Sequence, residues 1–168
     1  MIDTDITRRR RRRAAGLAAG LGAALAVAGG GADAHATPLD RDLQSVLAHG
    51  APGGKQVGKN RIQWPKQGVT LTLRTAQPGP WACETQHVCL YQDSRGRGRK
   101  IHFKQYGTYK LAAYGMGAGR RGASSYYDNQ TGSAGSTLIG PNFRLALVNF
   151  GNIPRSMNDR ATRVRLFP

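Results

Sequence analysis

Val69-Thr70-Leu71-Thr72-Leu73 alternates apolar and polar residues, the period of a strand, and sets Val69, Leu71 and Leu73 on one face. Short β-type runs follow at 87–92, 100–104, 123–128, 136–139, 144–150 and 161–167. Between them, 93–98, 115–122, 129–135 and 151–158 are rich in Gly, Asn, Asp and Ser, residues that tolerate turns. No segment after Val69 sustains a helical period. This spacing predicts an all-β domain in which antiparallel strands form a Greek-key sandwich. A weak repeat (strand, turn, basic strand, Ser/Thr-bearing strand) runs through 87–128 and again through 136–167.

Upstream the texture differs. Residues 37–68 are polar, with an Ala51-Pro52-Gly53-Gly54 cluster, one possible short helix at 39–48 and an isolated Trp64. They read as a loosely structured lead-in or linker. Before them, Arg8 to Arg13 form an unbroken cationic run, 14–28 an Ala/Leu/Gly-rich apolar stretch, and Ala34-His35-Ala36 a small-x-small site. That order predicts a signal peptide, residues 1–36, cleaved after Ala36, and hence a secreted, extracellular protein. The apolar stretch is too short and too rich in Gly and Ala to span the ~30 Å hydrocarbon core, so no transmembrane anchor is expected. Thr7-Arg8-Arg9 also permits a twin-arginine export route.

The expected division is therefore signal peptide 1–36, lead-in 37–68 and β domain 69–168. Cleavage leaves 132 of 168 residues, enough for one domain, read as a monomer. Removing six Arg and three Asp from a net charge of +16 leaves +13 on the mature part. The basic excess thus belongs to the working protein and favours polyanionic surfaces.

The two cysteines, Cys83 and Cys89, both lie in the exported part, where an oxidising compartment makes a disulfide the default. The loop is short, so loop-closure entropy assigns the bridge only about 2 kcal/mol, a local brace rather than a main support. A metal-binding pair is the alternative, but one Cys-x5-Cys lacks the four ligands of a structural zinc site.

Cys83-x5-Cys89-Leu90-Tyr91, a Gly-containing turn, then Gly122-Ala123-Ser124-Ser125 and Asn129, resembles the secreted actinobacterial peptidase inhibitors related to the Streptomyces metalloproteinase inhibitor. Gly53-Gly54-Lys55-Gln56-Val57, Trp64 and the 69–73 strand are similar to the lead-in of such proteins, so the resemblance covers about residues 50–168. It implies a βγ-crystallin-like fold and a peptidase partner. The crystallin turn motif, an aromatic, four residues, an aromatic, any residue and Gly, is only partly kept: from Tyr91, Gly96 replaces the second aromatic and Gly98 is in place. In the second half Phe143 is the candidate inner aromatic, flanked by Leu138 and Leu145.

Calcium-binding relatives carry two Asn/Asp, two variable residues, Ser/Thr and Ser. Here the first stretch reads Arg120-Arg121-Gly122-Ala123-Ser124-Ser125, with cations where a hard ion needs oxygen ligands. The second, starting Asn158-Asp159, loses the final Ser to Arg163, so at best one incomplete site remains at Asn158 and Asp159. No metal and no cofactor is expected.

Catalytic constellations are absent: no Gly-x-Ser-x-Gly, no His-Glu-x-x-His, and six acids in all after the signal. The expectation is not an enzyme. His87 and His102 fall on neighbouring predicted strands and read as surface or edge residues for want of a third ligand. The sharpest electrostatic feature is the run Arg95, Arg97, Arg99 and Lys100. If extended, its three arginines form a ridge on one side. The ridge is a basic loop for a protease cleft, a polyanion patch or a solvated turn. The tyrosines at 106, 109, 114, 126 and 127 offer stacking partners for nucleic acid, but strand aromatics more often pack a sheet, and a secreted protein meets wall polymers instead. Asn129-Gln130-Thr131 matches a glycosylation sequon, read as coincidence in a chain of bacterial character. The expected function is a secreted peptidase inhibitor acting by insertion of an exposed loop. The alternative is a cationic module binding anionic cell-envelope or matrix polymers.

Overall fold

The protein is described by a computed structural model over residues 36–73 and 81–168, so the expected signal peptide lies almost wholly outside the described residues. The alternating segments become antiparallel strands in two sheets. The larger orders β1 (Lys55–Gln56), β2 (Arg61–Trp64), β3 (Val69–Thr72), β5 (Arg97–Phe103), β4 (His87–Asp93), β7 (Ser125–Asn129) and β10 (Phe150–Asn152) side by side. The smaller orders β6 (Gly107–Lys110), β11 (Arg163–Phe167), β8 (Gly135–Gly140) and β9 (Phe143–Leu147). All pairings are antiparallel, in an all-β chain with a single α-helix among the described residues.

The weak repeat has a counterpart in the pairing. In the first half β4 is flanked by β5 and β7, and in the second β8 is flanked by β9 and β11. Alternation decides which side chains meet between the sheets: Val69, Leu71, Val88, Leu90, Ile101 and Phe103 point inward from the larger sheet, Leu138, Val164 and Leu166 from the smaller, all buried.

Residues 37–68 are not the loose lead-in expected. Thr37 caps helix α1 (Pro38–His49), its hydroxyl accepting from the Asp40 amide while the Asp40 carboxylate accepts from the Thr37 amide at 3.0 Å, and Pro38 occupies the first turn. Leu39, Leu43, Val46 and Leu47 follow at helical spacing and pack on the core, Leu43 and Val46 fully buried. Trp64 is wholly buried, donates from Nε1 to Ala51 O at 2.8 Å and meets Tyr114 edge-on at 5.1 Å. The polar composition of this stretch hides a narrow apolar stripe, whose burial is decided by the sheet it covers.

The predicted strand 144–150 is two strands. Asn149 adopts a left-handed φ of 56°, ending β9 in the smaller sheet and sending β10 into the larger. β6, whose single buried side chain is Tyr109, was not foreseen.

Candidate functional site

Cys83 and Cys89 are bonded, with Cα atoms 5.8 Å apart. The bridge pins the segment before β4 across the outer face of the larger sheet. Around it Tyr91 donates to Ala82 O at 2.9 Å and Asn129 Nδ2 to Cys83 O at 2.9 Å. Burial pushes the Tyr91 hydroxyl well above the usual phenol range, with Tyr127 adding to the effect, so it is a fixed donor.

The turn from β4 into β5 is folded back and bolted. Buried Ser125 donates to Asp93 O at 2.6 Å and accepts from the Gly96 amide at 3.0 Å. Gly98 has φ of 78° and a Cβ there would run into the Asp93 carboxylate, which explains glycine at this turn position.

This fold-back breaks the ridge read from the sequence. Arg95 sits at a left-handed φ of 59°, so the run is not uniformly extended. Arg95 and Arg97 are exposed. Arg99 faces inward with Ile101 and Phe103, is 4% exposed, and is held by Asp42 of α1 and Gly115 O. Burial lowers its pKa and Asp42 opposes that shift. Lys100 points to the opposite face, donating to Ala82 O at 3.2 Å. Alternation along β5 buries Arg99 against a carboxylate 57 positions upstream in sequence and turns Lys100 to the other face, so the four residues do not form one ridge.

An apolar corner, missed in the sequence, lies on the same flank as Arg95. Val148 and Phe150 are 65% and 56% exposed. The corner is rigid: the Asp128 amide donates to Asn149 O at 2.6 Å, Phe150 rests on Trp81 at 5.1 Å and Tyr127 at 5.7 Å, and Asn152 Oδ1 accepts from the Arg95 amide at 2.8 Å. The signal available was an Asn between two exposed hydrophobes, indistinguishable by pattern from a continuing strand.

His87 and His102 come together across β4 and β5, ring centroids 4.9 Å apart, and are not loose surface residues. They line a polar recess of about 440 Å³ with Arg61, Thr70, Glu84 and Lys104. Burial, reinforced by Lys100, lowers the His102 pKa to about 4. His102 Nδ1 is buried without a hydrogen-bond partner.

The two calcium-like half-motifs also meet. Ser124 donates to Asp159 Oδ1 at 3.2 Å and Asn158 Nδ2 to Asp159 Oδ2 at 2.8 Å, so both carboxylate oxygens already have internal donors. Among the described residues no group of three or more His, Cys, Asp or Glu is placed to hold a metal. Nor is any helix among them long and apolar enough to cross a membrane.

Searches of curated proteins and of solved structures return no match. The sequence model of peptidase inhibitor family I36 matches residues 76–163, 88 of the 168, spanning the disulfide, the folded turn, Ser125 and the apolar corner. The chain belongs to peptidase inhibitor family I36.

Proposed function

We propose that the protein inhibits an extracellular peptidase by inserting a rigid exposed segment into its cleft, and that Val148-Asn149-Phe150 is that segment. The observation that carries this reading is two largely exposed hydrophobes on a corner fixed at both ends, by strands of different sheets. An inhibitor gains affinity when its contact segment loses little freedom on binding, and a buried aromatic anchor typically dominates such an interface. Arg95, whose amide donates to Asn152 next to the corner, is the flanking contact. The role is that of a binding protein, not an enzyme, in keeping with the family.

A panel of metallo-, serine and cysteine peptidases titrated with the purified protein tests this. At least one should be inhibited at a stoichiometric ratio, with Val148→Ala and Phe150→Ala together weakening inhibition about 100-fold or more. Unchanged inhibition in that variant would move the contact elsewhere.

We further read residues 1–36 as a signal removed after Ala36, and the mature protein as a monomer. Cleavage there leaves Thr37 as both N-terminus and helix cap, its new ammonium facing Asp40, a stabilising arrangement. The folded turn bolted by Ser125, with Gly98 in place, favours a βγ-crystallin-like relationship between the halves.

A further inference from the structure

The outer face of the smaller sheet is not used by the inhibitory reading. Register places Arg144 of β9, Ile139 of β8, Arg163 of β11 and Lys110 of β6 in one row across all four strands. The next row runs Ala146, Thr137, Arg165, Thr108. Arg144, Arg163, Arg165 and Lys110 are all exposed. The six acids after the signal are Asp40, Asp42, Glu84, Asp93, Asp128 and Asp159, and none lies on these strands. Ile139, outward-facing between Arg144 and Arg163, is nonetheless only 8% exposed, as expected where long aliphatic stems lie over a neighbour and hold their charged ends to solvent.

Arg163 and Lys110 are directly opposed cross-strand neighbours, an arrangement in which like charges cost stability. Strands ~4.8 Å apart and same-face residues ~6.8 Å apart space the cations regularly across the face, which suits an extended chain carrying regularly spaced anions better than a single small ion. We propose that this face binds a linear polyanion through its phosphate or carboxylate groups, so that the protein is retained on an anionic polymer. The proposal goes beyond inhibition and does not depend on it.

The test measures affinity of the purified protein for inorganic polyphosphate and for polygalacturonate at about 50 mM and about 200 mM salt, the range over which charge-driven binding falls steeply. Affinity should drop at least about tenfold between the two, and binding of one polymer alone would assign the source of the oxyanion. The triple variant Arg144→Ser, Arg163→Ser, Arg165→Ser should lose about tenfold or more at low salt. Arg41→Ser, Arg120→Ser, Arg155→Ser, an equal charge change elsewhere, should lose much less. The face triple should also keep its inhibition of any peptidase the panel identifies, separating this failure from that of the inhibitory reading. Equal losses in the two triples, binding indifferent to salt, or no binding of either polymer would overturn the proposal. If the triple does not fold, each single Arg→Ser change should lower the salt slope by about 0.7.

Discussion

Asp42 and Arg99 form an ion pair that fastens the N-terminal helix to β5 of the larger sheet, and Arg121 closes on the other Asp42 oxygen at 2.8 Å. Removing the carboxylate leaves a guanidinium buried with only Gly115 O as a remaining partner among the bonds described. Asp42→Ala should cost about 3 kcal/mol in urea unfolding, the order seen when one partner of a buried pair is lost. Arg121→Ala, at a side chain 51% exposed, should cost less than about 1 kcal/mol.

Ser125 holds the β4–β5 turn through two hydrogen bonds. Ser125→Ala should strand the Gly96 amide and Asp93 carbonyl and destabilise the protein by about 2 to 3 kcal/mol. Because Arg95 is carried by that turn, amide exchange at 94–98 should speed up in the variant.

The Cys83–Cys89 bridge closes a short loop, its ends separated by six positions in sequence. Replacing both with Ser should lower stability by about 2 kcal/mol and leave a cooperative unfolding transition. Denaturation with and without reductant should reproduce the difference in the parent protein.

His102 is held neutral in the fold, its pKa lowered from 6.5 to about 4 mainly by burial; Lys100, His87 and Arg61 lower it further and Glu84 opposes them. Above the unfolded value neither state binds the proton, so His102 adds no pH dependence. As pH falls from 6.5 to about 4, the unfolded chain takes up a proton that the native state refuses, and stability declines. The urea midpoint should therefore fall across that window, and His102→Gln should flatten the slope.

N-terminal sequencing of protein recovered from culture medium should begin at Thr37. A chain still carrying Arg8 to Arg13 would overturn the export reading.

Much of the larger sheet was legible because its inner strands alternate: Val69 to Leu73 and Val88, Leu90, Ile101 and Phe103 carry their face in their spacing. Residues 37–68 were not, because Leu39, Leu43, Val46, Ile62 and Trp64 are too few among polar neighbours to stand out in composition, although the helix itself matched its helical spacing. The ridge misled for a related reason. Alternation fixes that Arg97 and Arg99 share a side, but not whether that side faces water or a carboxylate from a distant helix.

From the sequence alone came the all-β class, the disulfide, the family resemblance and the cationic excess, since these rest on local periodicity, residue type and count. The tertiary structure decided which charges are displayed. Pairing and register bury Arg99 against Asp42, expose Val148 and Phe150 at the change of sheet, and bring Lys110, Arg144 and Arg163 from three separate strands into one row. Such neighbours are far apart along the chain, and only the hydrogen-bonded register of a closed core makes them adjacent.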